Sequence, residues 1–299
     1  MFLPALLLLH GCSKQNSSDT NNSIDTTYSQ SRETHLELKD DIPYPKVEID
    51  DTEVRTLKSE YVDQTYEIDI FFPKGYEADT TRYPVVYILD ADYNFGCVSY
   101  IARRLIKNGD IPKVLLVGIA YNSTEEEYYQ KRNRDCTPPS EIHGYHTGSV
   151  EDFVLFLKKE LFPFINENYR TIPEDRTIVG HSIGGFFCCY SLFKHPVLFN
   201  SYIIVSPSLW FSNQVIFQYE EEFAKLHKEL KASIYFATGL DESDRMVNTS
   251  QRFIKILTER GYQNMRFESM MAEDENHRSL FLNAFSKGIR FVFLNDKKK

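Results

Sequence analysis

The sequence predicts an α/β fold with a mostly parallel, doubly wound sheet and helices on both faces. Three observations predict it. Short runs rich in β-branched and aromatic residues recur along the chain, these runs are apolar on both faces, and the stretches between them are long enough to hold a helix. Strands joined by such crossovers lie parallel, and strands with two apolar faces need cover on both sides.

The elements follow in order. Residues 42–66 are mixed in pattern and read as lead-in strands. Strands are then expected at 65–72 (TYEIDIFF), 84–90 (PVVYILD), 114–121 (VLLVGIAY), 176–180 (RTIVG), 201–206 (SYIIVS), 233–239 (SIYFATG) and 266–272 (RFESMMA). The clearest helical segments between them are 149–168, 182–194, 215–231, 247–260 and 278–293. Hydrophobic residues make up 42% of the 299, with 22 Phe and 19 Tyr, which is ample for one large core. Sheets of this kind place their sites beyond the carboxyl ends of the strands, so the residues just after each strand are the ones to read for chemistry.

Composition also excludes some functions. A net charge of −9 with no Lys/Arg stripe argues against a nucleic-acid partner, which needs a basic surface. None of the five cysteines has metal-ligand spacing, so no metal site is expected. Cys188 and Cys189 read as small core residues, and Cys97 and Cys136 as a candidate pair in an oxidising compartment. The apolar run Met1–Cys12 is too short to span a bilayer and reads as an export signal. Its end, Leu9-His10-Gly11-Cys12, resembles the lipobox of bacterial lipoproteins, in which cleavage before the Cys leaves that residue lipidated. The expectation is a signal over 1–12 ending at a lipidated Cys12, a disordered polar linker over 13–41, and one α/β domain over 42–299. The protein would then be an exported bacterial lipoprotein, periplasmic or cell-surface, touching the membrane only through Cys12.

The chemistry is read at the strand ends. Strand 176–180 runs into Gly180-His181-Ser182-Ile183-Gly184 and then an apolar helix. G-x-S-x-G between a strand and a helix is a nucleophile elbow, a sharp turn that lifts the serine hydroxyl above the sheet. Ser182 is therefore the candidate nucleophile and the fold the α/β-hydrolase fold. A hydroxyl needs a positioned base, itself oriented by an acid, and in this fold the chain order is Ser, then Asp or Glu, then His. Two strands later Gly239 is followed by Asp241, Glu242 and Asp244, and one strand after that stands His277. His277 is the candidate base. Glu242 is the favoured acid, with Asp241 the alternative and Asp244 behind both. The backbone amides of Ile183, after the nucleophile, and Ala91, after strand 84–90, are the candidate oxyanion donors. His181 and His195 read as packing or capping residues, and His143 and His146 as members of a loop bordering the substrate.

With these residues in hand, the chain resembles the putative-esterase family of α/β-hydrolases, which includes esterase D, feruloyl and acetyl-xylan esterases, and siderophore esterases. The marks are Tyr87-Ile88-Leu89-Asp90-Ala91-Asp92, Arg134-Asp135-Cys136-Thr137-Pro138, Glu160-Leu161-Phe162-Pro163, Gly180-His181-Ser182-Ile183-Gly184-Gly185 and Ser206-Pro207-Ser208-Leu209-Trp210. The last of these, with the Arg-Asp-x-Thr-Pro segment, looks closest to the siderophore-esterase branch. The resemblance implies an acyl-enzyme esterase with Ser182 and His277 catalytic, an acid near Glu242, and no metal or organic cofactor. It implies a small-molecule ester substrate of the trilactone siderophore type, with acetyl-xylan or feruloyl esters as the alternative and a non-enzymatic ligand-binding protein as the alternative of another class. Ala91 departs from the family, which commonly carries Gly there. Arg132, Arg134 and Trp210 are the candidate substrate-binding residues, through charge and stacking.

Overall fold

The computed structural model describes residues 48–140 and 148–294. The expected signal, the Cys12 anchor and the 13–41 linker lie outside these residues, as do His143 and His146.

Eight strands form one sheet: β1 (Thr52–Ser59), β2 (Gln64–Phe71), β3 (Tyr83–Ile88), β4 (Leu115–Ala120), β5 (Thr171–His181), β6 (Ser201–Val205), β7 (Glu229–Gly239) and β8 (Gln263–Ala272). Their order across the sheet is β1-β2-β4-β3-β5-β6-β7-β8. β1 with β2 and β2 with β4 are antiparallel, and every other neighbouring pair is parallel. This is a mostly parallel doubly wound α/β-hydrolase sheet. The order reverses where β3 lies between β4 and β5, so strand ends on either side of that point open onto a common crevice.

The helices are α1 (Ala91–Asn108), α2 (Glu125–Cys136), α3 (Val150–Phe156), α4 (Phe162–Asn168), α5 (Ile183–Lys194), α6 (Phe211–Leu226), α7 (Asp244–Arg260) and α8 (Leu280–Phe293). A π-helical turn, Leu157–Leu161, joins α3 to α4, so the segment expected as one helix over 149–168 is continuous but locally widened. Successive strand residues feed opposite cores, as a period of two requires. Ile178, Tyr202 and Ile204 pack on one side with Phe153, Phe186 and Phe253, whereas Val179, Ile203 and Val205 pack on the other with Phe95, Phe281 and Phe285. Helices α1 and α8 cover the second face, and α3 to α7 cover the first. Cys188 and Cys189 are fully buried, in line with their reading as core residues.

Four expectations need correction. β5 and β7 start earlier than the apolar runs suggested, at Thr171 and Glu229, because paired edges extend through polar residues once a neighbour supplies the hydrogen bonds. The helix expected over 215–231 stops at Leu226, since His227 is already extended and leads into β7. Two helices, α1 and α2, are absent from the segments singled out as clearest. In α1 the exposed Tyr93 and Tyr100 blur the apolar stripe, and in α2 two of the four buried residues are Arg132 and Asp135. Finally, Cys97 and Cys136 are both free thiols, one exposed and one buried, rather than a pair.

Candidate active site

Gly180 and Gly184 explain the elbow. A Cβ on Gly180 would lie 2.3 Å from the Gly184 carbonyl oxygen and 2.7 Å from Cys188 Sγ, so only glycine lets strand and helix come this close. Between them Ser182 adopts φ 59°, ψ −116°, a conformation rarely tolerated by a residue with a side chain. The turn is held from both ends: Ser182 N donates to Val205 O at 3.0 Å, and its carbonyl accepts from Phe186 N and Ser208 N. Ser182 Oγ lies 3.3 Å from Ser208 Oγ. Ile183 is the first residue of α5, so its amide has no partner within the helix.

Ala91 occupies the same position on α1. It is the first helical residue after Asp90, which takes a left-handed φ of 58°. The two expected oxyanion donors are therefore matching first-turn amides of two helices, at the ends of the adjacent strands β3 and β5.

His277 and Glu242 meet as expected. His277 Nδ1 lies 2.8 Å from Glu242 Oε2. Glu242 is almost fully buried, and its other oxygen accepts from Ser206 Oγ at 2.6 Å and Gly239 N at 2.8 Å. Burial alone would push this carboxyl up, but the hydrogen bonds from His277, Ser206 and Gly239 outweigh it and hold the group below its usual value. Asp241 is exposed, with its backbone N–H donating to Glu275 O, and Asp244 opens α7. Of the three candidates, Glu242 is the one on the imidazole. A Cβ on Gly239 would sit 2.1 Å from Glu275 O, so that glycine lets the loops carrying acid and base touch.

His181 does more than pack. Its Nε2 donates to His277 O at 2.7 Å, and the two rings lie 4.5 Å apart. Burial first, and then the neighbouring His277, lower it to about 4, so it is the neutral imidazole that braces the loop of the base. Behind it, Arg132 forms a buried bidentate pair with Asp90, at 2.6 and 2.8 Å, while its Nη2 also donates to His181 O at 2.8 Å. Tyr128 OH donates to the same Asp90 carboxylate at 2.8 Å. One guanidinium thus ties the residue before Ala91 to the residue before Ser182.

This changes the expectation for the three substrate-binding candidates. Arg132 lines the cavity but its donors are committed to Asp90 and His181. Arg134 pairs with its neighbour Asp135 at 2.7 Å, and Trp210 has Arg245 over its ring at 3.9 Å and its Nε1 on Met246 Sδ. Neither of these two is among the described residues walling the cavity, of about 390 Å³, that holds Ser182 and His277. That wall is made by Asp90, Tyr93, Asn94, Tyr128, Tyr129, Arg132, His181, Arg278 and Phe281. Sequence reasoning gave no role to Ser206, Ser208 or Asp90, and only a packing or capping one to His181. The signal for the serines was there: Ser206-Pro207-Ser208 directly follows β6, where residues that meet the elbow must fall.

Comparison with known proteins shows the family. A family model described as putative esterase matches residues 59–279. The chain is 31% identical over 264 residues to the ferri-bacillibactin esterase BesA of Bacillus subtilis, covering 82% of this chain and 90% of that protein. It is 25% identical over 280 residues to a siderophore enterobactin esterase of Emericella nidulans, covering 77% and 90%. Among solved structures, the BES protein from Bacillus cereus superposes with a TM-score of 0.77 at 26% identity, covering 85% of this chain and 99% of that one.

Proposed function

Because the chain belongs to the putative-esterase family and is a carboxylic-ester hydrolase, we propose that it cleaves siderophore-type esters through an acyl-enzyme on Ser182. The observation that carries this reading is the meeting of the strained Ser182 elbow with the Glu242–His277 pair at one cavity. Ser182 Oγ attacks the ester carbonyl carbon as His277 Nε2 takes its proton. Glu242 holds Nδ1–H, fixing the tautomer and stabilising the imidazolium that forms. The amides of Ile183 and Ala91 hold the oxyanion, His277 returns the proton to the leaving alkoxide, and water then repeats the sequence to release the acid. The relatives named for bacillibactin and enterobactin esters support the substrate class.

The expected outcome of Ser182→Ala is loss of p-nitrophenyl butyrate turnover by at least about a thousandfold, with loss of labelling by an active-site phosphonate. Wild-type turnover in that variant would contradict the mechanism. Mass-spectrometric screening against trilactone siderophores and feruloylated or acetylated xylan tests the substrate, and cleavage of xylan esters alone would contradict the siderophore assignment. Tight ligand binding without phosphonate labelling would indicate a binding protein instead.

The Leu9-His10-Gly11-Cys12 segment supports a second part of the proposal: the protein is exported and held to a membrane by a lipid on Cys12. Labelling with a palmitate analogue, lost in Cys12→Ala along with membrane association, is the expected result. Membrane association unchanged in that variant would contradict it.

A further inference from the structure

We propose that Ser208 positions the nucleophile: its buried hydroxyl donates to Ser182 Oγ and supports the negative charge that gathers there during attack. The inference rests on the esterase reading above and adds a residue to its machinery.

The turn after β6 reaches both the acid and the nucleophile. Ser206 takes a left-handed φ of 43°, its N–H donates to Ala237 O at 2.7 Å, and its hydroxyl goes to Glu242. Pro207 packs on the start of α5, where a Cβ on Gly185 would meet Pro207 Cα at 3.0 Å. Ser208 then turns back to the elbow, donating its N–H to Ser182 O at 3.0 Å and placing its Oγ 3.3 Å from Ser182 Oγ. The hydroxyl of Ser208 is thus held against the nucleophile by its own backbone.

The direction of the hydrogen bond follows from what surrounds the pair. Ser208 is 2% exposed, and among the described residues Ser182 Oγ is the only partner of its hydroxyl. Ser182 hands its proton to His277 Nε2, the ring nitrogen not bound to Glu242. From then on Ser182 Oγ can only accept, so Ser208 is the donor. At 3.3 Å the contact is long for two hydroxyls and contributes little to the resting enzyme. A hydroxyl that donates to a charged oxygen draws closer, and the bond is roughly twice as strong. The bond therefore strengthens as Oγ loses its proton, which lowers the barrier rather than the energy of the starting state. It forms again when water has added to the acyl-enzyme and Ser182 Oγ departs.

The test removes only the hydroxyl. Ser208→Ala keeps the backbone N–H on Ser182 O, so its thermal melting should match that of the wild type. Against p-nitrophenyl butyrate, kcat and kcat/KM should fall together by roughly tenfold to a hundredfold, the range of one hydrogen bond to a charged oxygen. Phosphonylation by ethyl p-nitrophenyl butylphosphonate, which needs attack by Ser182 but no deacylation, should slow by a similar factor. The acidic limb of kcat/KM against pH should keep its midpoint, because Ser208 is bonded to neither His277 nor Glu242 among the described residues. Wild-type turnover and phosphonylation in Ser208→Ala, with Ser182→Ala inactive, overturn the role of Ser208 alone. A loss of rate accompanied by lower melting or a displaced midpoint also overturns it, since that marks a distorted site. An active Ser182→Ala overturns the esterase reading, and this inference with it.

Discussion

Glu242 reaches His277 because Ser206 and Gly239 leave its carboxylate only one direction to face. In sequence, Glu242 is only the favoured one of three carboxylates after one strand, ahead of Asp241 and Asp244, and this hydrogen-bonding is what puts it on the imidazole. Glu242→Gln is expected to lower kcat by roughly a hundredfold or more, whereas Asp241→Asn should stay within about twofold, as measured by steady-state kinetics. Equal effects would contradict the assignment. Arg132 makes a sharper residue-scale case. Read from sequence as a substrate contact, it is buried and ties Asp90 to the His181 carbonyl. Arg132→Lys keeps the charge but not the fork, so it should lower kcat roughly tenfold to a hundredfold with KM little changed. Arg132→Ala leaves the buried Asp90 carboxylate with Tyr128 but without its counter-charge and should cost about 3–5 kcal/mol of stability in urea unfolding. A rise in KM alone would return Arg132 to the substrate. His181 adds a pH dependence. An unfolded His titrates near ~6.5, and in the fold it is lowered to about 4. Between these values the unfolded chain binds a proton that the folded one refuses. Stability is therefore full above the unfolded value and falls as pH drops through the window, by at most roughly 3 kcal/mol. Unfolding midpoints at pH 7.5 and 4.5 should converge in His181→Gln; an unchanged gap would contradict this.

At the scale of elements, the elbow was legible because its glycines are there for a steric reason that sequence displays. Gly180→Ala forces Cβ against the Gly184 carbonyl and should cost more than about 3 kcal/mol or prevent soluble expression. A variant with wild-type melting would contradict the close approach. The parallel strands were legible for a similar reason, since burial on both faces leaves uninterrupted apolar runs such as Leu115–Ala120. Helices α1 and α2 were harder to read. Their buried faces include Arg132 and Asp135, and their exposed residues include Tyr93, Tyr100 and Tyr129, so the helical period is inverted where the site is built. The polar residues are inside because they pair there, Arg132 with Asp90 and Asp135 with Tyr66 and Arg134. Tyr93 and Tyr129 are outside because they wall the cavity that holds Ser182.

Across the whole molecule, the sheet order brings the ends of β3, β5, β6, β7 and β8 to one edge, and each contributes to the site. Asp90 and Ala91 follow β3, Ser182 follows β5, Ser206 and Ser208 follow β6, Glu242 follows β7 and His277 follows β8. The succession of nucleophile, acid and base was visible along the chain because this topology maps order in sequence onto order across the sheet. What one-dimensional spacing does not carry is which side chains turn inward from the loops between, and the support from Arg132 and His181 lies there. The central claim is that Ser182 carries the acyl group. Rapid acid quench during turnover of p-nitrophenyl butyrate, followed by peptide mass mapping, tests it most directly. A butyryl adduct on the peptide containing Ser182 is expected, absent in Ser182→Ala. Turnover with that peptide unmodified throughout, or an adduct on another residue, would contradict it.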